Sequence, residues 1–174
     1  MPVVPLPTIP NLSLEQAVLL TVRAAQQAMH ALGPAQRESA YEAAMAKTLY
    51  YQNVPLLTQC PTRKRAGPGN STATGPADMF IAGALLVELK AGKPRIAQEH
   101  IDQVMRYHAS ISEEHSEVRD NTILAMVINF KRTADVVQLW DSKQQRMTSL
   151  HIDRQSSDPF ALIGEPIIEP GLVE

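Results

Sequence analysis

The stretch DMFIAGALLVELKA, residues 78–91, decides how this chain folds. Asp78 to Ile81 and Leu85 to Lys90 read as two short strands, with Ala82-Gly83-Ala84 as the turn between them. Glu88 and Lys90 stand two positions apart and so project from one face of their strand. A loop with an odd number of residues centred on Gly83 pairs Ile81 with Leu85 and Asp78 with Glu88. Two carboxylates then oppose each other across the ladder, about 4.5–5.5 Å apart at Cα. A loop with an even number puts them on opposite faces. Opposed like charges destabilise a sheet. A divalent cation offsets that cost, and Mg²⁺ does so with one or two carboxylates while keeping room for water and phosphate oxygens. The competing reading leaves Asp78 at the end of a loop and Glu88–Lys90 as a solvent-facing pair on an edge strand.

Outward from this hairpin the pattern is mixed. On the N-terminal side, Ser13 and Gln16 form a capping box, and Leu14, Val18, Val22, Ala25, Met29 and Leu32 trace one helical stripe that ends at Gly33-Pro34. A second helix is expected over about 36–52, with Tyr41, Ala44, Met45, Thr48 and Leu49 inward. Val54 to Gln59 suggests a weak strand. Residues 60–77, rich in Gly, Pro, Ser and Thr, suggest a flexible loop carrying the basic cluster Arg63-Lys64-Arg65, either a solvated loop or one serving nuclear import or phosphate contact. On the C-terminal side a helix is expected from about Pro94 to Ser110, with Ile101, Val104, Met105 and His108 on its buried stripe. A charged loop at 111–121 follows. Thr122 to Phe130 is a continuous apolar strand of the kind buried on both faces. Asp135–Trp140 and Arg146–Ile152 form a final hairpin. The order predicts an α/β fold with a mixed central sheet flanked by helices.

The chain has 174 residues, a formal charge of −2, 5% aromatics and one cysteine, Cys60. Its length suits one domain, here 13–153, between a proline-rich arm at 1–12 and an acidic tail at 154–174 that reads as disordered. The charge excludes a broadly cationic nucleic-acid coat but not a local basic groove. Few aromatics argue against a base-stacking sheet. One cysteine excludes a disulfide framework and a cysteine-rich zinc module, and points to an intracellular, reducing setting. Residues 1–11 carry four prolines and no basic segment, so they match neither a signal nor a transit peptide. The longest apolar run, Met79–Val87, is about half of a membrane span, and the expectation is a soluble protein with no membrane partner. The five histidines show no paired metal-ligand spacing, and GPGN at 67–70 lacks the lysine and helix of a phosphate loop.

Other polar residues accompany the acidic pair. Glu38 opens the second helix in GPAQRESAYEAA, residues 33–44, with Tyr41 one turn on. Gln103 and Tyr107, at i and i+4, share a face of the helix that follows Lys90. The ordered set is Glu38-Ser-Ala-Tyr41-Glu42, Ala77-Asp78, Glu88-Leu89-Lys90-Ala91, Gln103-x-x-x-Tyr107 and a strand ending Ile128-Asn129-Phe130. It resembles the GxxExxY branch of the PD-(D/E)XK nuclease superfamily over roughly residues 30–140. The chain departs from the branch pattern at Ala35, where the branch has glycine, at Ala77, where the superfamily has proline, and at 60–77, where a regular hairpin is usual.

The resemblance implies an αβββαβ core of restriction-endonuclease type. It implies that Asp78 and Glu88 bind Mg²⁺, or Mn²⁺ in its place, with the Leu89 carbonyl as an extra ligand. Lys90 then assists the attacking water, Glu38 sits near the metal or that water, and Tyr41, Gln103 and Tyr107 organise the cleft. The expected activity is metal-dependent hydrolysis of DNA phosphodiesters, with RNA left open as substrate and a homodimer compatible with the size. Two rivals remain: a nuclease-fold protein without turnover, acting in nucleic-acid binding or assembly, and an interaction module that works through its tails.

Overall fold

The computed structural model describes residues 12–65, 71–114 and 123–169. Helix α1, Leu14–Leu32, starts at the Ser13/Gln16 capping box, with Gln16 N–H donating to Ser13 Oγ at 3.1 Å and Ser13 N–H to Gln16 Oε1 at 2.9 Å. It stops at Gly33, whose φ of +72° is one that a side chain resists. Helix α2 covers Glu38–Tyr51. Strands β1 (Leu56–Arg65), β2 (Ser71–Ile81) and β3 (Leu85–Ala91) follow, then α3 (Gln98–Glu114), β4 (Leu124–Phe130), β5 (Val136–Asp141), β6 (Met147–His151) and β7 (Ile167–Glu169).

The seven strands form one sheet in chain order, antiparallel throughout except for β3 and β4, which run parallel across the α3 crossover. This is the expected mixed α/β architecture, and it contains the αβββαβ order. Alternation along the strands divides the core into two layers. Met79, Ile81, Leu85, Val87, Leu89, Ile128 and Phe130 pack with α1 and α2. Phe80, Leu86, Ala125, Val127 and Trp140 pack with Ile101, Val104, Tyr107 and Ile111 of α3. Strand β4 is buried on both sides. Burial at full depth stabilises each such large side chain by about 1.5–3 kcal/mol. Among the described residues, no helix is long and apolar enough to cross a membrane.

Several expectations need correction. Residues 60–65 and 71–77 are strand rather than loop: β1 and β2 pair from Leu56↔Ile81 to Arg65↔Ser71, with a register shift at Thr62/Arg63 beside Gly75, whose φ is +97°. Glycine and proline suggested a loop, but the threonines favour extended backbone. Pro61 and Pro76 are tolerated because β1 is a sheet edge and β3 has left β2 at that point. The side chains of Arg63, Lys64 and Arg65 and residues 66–70 lie outside the described residues. Second, the chain does not lose its structure at residue 154. Ile152 bridges Leu162, β7 pairs with β6, and the His30 ring meets the Ser156 carbonyl at 2.8 Å. Backbone pairing, Arg23 over the Phe160 ring and Leu162 against the core hold the segment despite its acidic, proline-bearing composition. Of the expected charged loop at 111–121, residues 111–114 are instead the last turn of α3; the arm residues 1–11, residues 115–122 and residues 170–174 lie outside the described residues. Third, Met105 is exposed, and Tyr107 and Ile111 take its place on the inward stripe of α3.

Candidate active site

The turn at 82–84 has three residues, with Ala82 and Gly83 at φ +54° and +64°, so Ile81 faces Leu85 and the odd-loop register holds. The β2–β3 ladder then stops after Met79↔Val87. Beyond it β2 stays with β1 while β3 stays with β4. Asp78 and Glu88 are the first residues past the last rung, at the crotch of this fork. By alternation with Phe80 and Leu86, both look toward the α3 layer.

Asp78 replaces the missing rung with its side chain. Its Oδ2 accepts the Leu89 N–H at 2.7 Å. In an extended strand, a residue's N–H and C=O point to the same side. The Leu89 carbonyl therefore also points into the fork. Glu88 Oε1 accepts from Lys90 Nζ at 2.8 Å, while Glu88 Oε2 is buried with no hydrogen-bond partner. An orphaned buried carboxylate oxygen costs about 1–3 kcal/mol or more, and its natural partner is a cation.

The electrostatics follow from this crowding. Burial, then the Asp78 charge, pushes Glu88 up to about 7. Burial likewise raises Asp78, against the Leu89 N–H and Lys90. Burial draws the Lys90 ammonium down, but the Glu88 hydrogen bond and the charges of Glu88, Glu38 and Asp78 outweigh it, and the net shift is upward. Lys90 thus stays an ammonium. Glu38 joins from the other layer: α2 begins at the end of β3, where the Glu38 carboxylate meets the Ala91 N–H and feels Lys90 and Asp78, and burial raises its pKa. The four charged positions expected from the sequence therefore gather in one place.

The remaining predicted residues fall elsewhere. Tyr41 is fully buried, stacked on Phe130 at 4.0 Å and 3°, and its hydroxyl donates to the Gly33 carbonyl at 2.7 Å. It ties the start of α2 to the end of α1 and so holds Glu38 in place, rather than lining the cleft. Gln103 donates to the Tyr107 hydroxyl at 2.9 Å on the α3 face that lies over β1 and β2, next to Gly75. This pair shares the layer toward which Asp78 and Glu88 look.

Three residues near the site had no role assigned from the sequence. Gln59 on β1 donates to Glu42 Oε2 at 2.8 Å and to Asp78 Oδ1 at 3.4 Å. Glu42, one turn after Glu38, has its pKa raised by burial and then by Asp78. His100, in the first turn of α3, is buried. Its Nδ1 accepts the Ala97 N–H at 3.0 Å, and burial followed by the Lys90 charge lowers its pKa, so it is a neutral ring near the lysine. For Glu42 the i, i+4 spacing from Glu38 was a usable signal. A lone glutamine or histidine carried none.

The donor set fits a hard divalent cation. Among the described residues, no group of three His, Cys, Asp or Glu side chains could hold a metal by itself. Zinc-type closure is therefore absent there. Two carboxylates and a backbone carbonyl, completed by water and phosphate oxygens, match the demands of Mg²⁺ or Mn²⁺.

A model of the PD-(D/E)XK nuclease superfamily matches residues 15–139, from the first turn of α1 to β5. Comparison with curated proteins and with solved structures gives no significant match.

Proposed function

This chain belongs to the PD-(D/E)XK nuclease superfamily, and from that premise we propose that it is a Mg²⁺- or Mn²⁺-dependent nuclease hydrolysing DNA phosphodiester bonds, of the GxxExxY branch. The observation that carries this reading is the fork. Asp78, Glu88 and Lys90 meet where β2 and β3 part, with Glu38 beside them and one Glu88 oxygen buried and unpartnered. The branch assignment is supported by Glu38 and Tyr41 acting as a unit, the tyrosine fixing the helix turn that presents the glutamate.

Asp78, Glu88 and the Leu89 carbonyl would hold the ion. When bound, it supplies Lewis-acid stabilisation of the charge that builds on the scissile phosphate. Lys90, kept cationic by its acidic neighbours, orients the attacking water and adds positive charge beside the phosphoryl group. Glu38 accepts a hydrogen bond from that water. The Leu89 N–H and Lys90 fix the two carboxylates before substrate arrives, so little reorganisation is needed at the moment of reaction. The pairing of β1 with β2, in place of a Gly/Pro-rich loop over 60–65 and 71–77, supports this reading.

The test is cleavage of supercoiled plasmid in Mg²⁺ or Mn²⁺, with EDTA, Asp78→Ala and Lys90→Ala as controls and a labelled RNA alongside. Metal-dependent nicking that both substitutions abolish, with circular dichroism unchanged, is the expected result. Cleavage that persists in either variant refutes the assigned roles, and cleavage of RNA alone moves the substrate class.

A further inference from the structure

The geometry points to Gln59 as a positioning residue of the metal site, acting through Asp78 and anchored by Glu42. This inference rests on the metal-dependent reading above. Its first support is the backbone. Among the described residues, five non-glycine residues have positive φ, and of these Gln59, at +50°, is the one inside a strand. The left-handed conformation is unfavourable for a residue with a Cβ. It persists where surrounding structure overrides it, and such places cluster at functional sites. Register places Gln59 directly across β1–β2 from Asp78, between the Thr58↔Met79 and Cys60↔Ala77 pairs.

The second support is what the side chain does there. Its Nε2 carries two hydrogens and meets two carboxylates, Glu42 Oε2 at 2.8 Å and Asp78 Oδ1 at 3.4 Å. Asp78 is then gripped on both oxygens, Oδ2 by the Leu89 N–H and Oδ1 by the amide. That double grip fixes the carboxylate plane and leaves its remaining lone pairs for a cation. The amide also spaces Glu42 from Asp78 with a donor, reducing repulsion in a cluster with more acids than bases. Gln59 itself is solvent-exposed at the mouth of the fork, so it adds nothing to the core. Outer partners that orient metal-binding carboxylates commonly set metal affinity by 10–100-fold.

The test is Mn²⁺ binding by electron paramagnetic resonance, with the metal-free melting temperature and plasmid nicking measured in parallel. Gln59→Ala and Gln59→Gly are expected to weaken Mn²⁺ binding about tenfold. Metal-free melting should fall slightly in the alanine variant, which loses the donor between Glu42 and Asp78, and lie higher in the glycine variant, where the backbone strain is relieved. Gln59→Ala and Glu42→Ala should be non-additive in Mn²⁺ affinity, since each removes one end of the same bridge. A role confined to the backbone predicts Mn²⁺ affinity unchanged in both variants, whatever the melting temperatures, and that result overturns the inference, as does full additivity. Wild-type protein that binds Mn²⁺ but cuts neither DNA nor RNA refutes the nuclease reading and leaves this inference standing. Wild-type protein that binds no Mn²⁺ overturns both.

Discussion

Glu88 and Lys90, two residues apart on β3, form a 2.8 Å ion pair that engages one carboxylate oxygen and leaves the other buried without a partner. The pair is therefore complete as a charge contact and incomplete as a hydrogen-bonding unit. The Asp78 carboxylate lies close enough to raise the Glu88 pKa by its charge. A pair serving stability alone gains from satisfying both oxygens, because a buried unpaired acceptor is costly.

Lys90 supplies the ammonium bonded to Glu88, so its loss should be felt twice. Lys90→Met should lower plasmid nicking by about 10²–10³-fold, the usual cost of removing a transition-state charge partner. It should also destabilise the metal-free protein at pH 8 by about 1–3 kcal/mol, since Glu88 is left buried and unpaired. Urea denaturation and single-turnover cleavage measure the two separately. Activity retained within a factor of a few removes Lys90 from the mechanism.

Protonation sets a second expectation. Glu88 has a folded-state pKa of about 7, above its ordinary 4.5, and Asp78 is shifted in the same direction. A raised acid contributes stability that is fully present below the unfolded pKa and lost as pH rises through the folded one. The metal-free protein should therefore lose stability between about pH 5 and pH 8. Asp78→Asn keeps an acceptor for the Leu89 N–H but removes the charge facing Glu88. It should be more stable than wild type by about 1–2 kcal/mol at pH 8, with the gap closing toward pH 5. Thermal melts across this range decide the matter, and a gap that widens toward acid contradicts the picture.

Tyr41 makes a contrasting case. Tyr41→Phe keeps the stack on Phe130 and deletes the hydroxyl that donates to the Gly33 carbonyl. It should cost about 0.5–1.5 kcal/mol and lower activity only through a looser start of α2. Tyr41→Ala should cost about 3–5 kcal/mol by opening a core cavity. A phenylalanine variant with wild-type stability but no activity would instead place the hydroxyl in the chemistry.

The connection from β3 to α3 is pinned by polar groups inside the core. Gln138 Oε1 accepts the Ile96 N–H at 3.1 Å and Asn129 Nδ2 at 3.2 Å, and Asn129 also donates to the Lys93 carbonyl at 3.1 Å. Asn129 and Gln138 are direct partners across β4–β5. Gln138→Ala leaves a buried N–H unpaired and should cost about 1–3 kcal/mol. Hydrogen exchange at Ile96 should accelerate while exchange in α1 stays unchanged. Equal acceleration in both would mean that the glutamine acts on global stability and not on this connection.

The local signals were sound where chemistry is local. The capping box at Ser13, the stop at Gly33, the three-residue turn around Gly83 and the apolar run of β4 each rest on residues close in sequence, and each is found. The same locality made Asp78, Glu88, Lys90 and Glu38 recognisable as a set, since their order and spacing can be read along the chain. What the sequence could not decide depended on distant partners. Residues 60–65 and 71–77 became strands because they pair with each other, which outweighs their glycine and proline content. Residues 154–169 are held by α1 and β6. Gln59 entered the site because β1 lies beside β2, and His100 because the β3–α3 connection brings its ring near Lys90. Above all, the fork itself, where β2 keeps to β1 and β3 to β4 past Met79 and Val87, is a property of pairing across the sheet. Spacing along the chain chose the charged groups. Strand pairing, which satisfies backbone hydrogen bonds between segments far apart in sequence, decided that they meet.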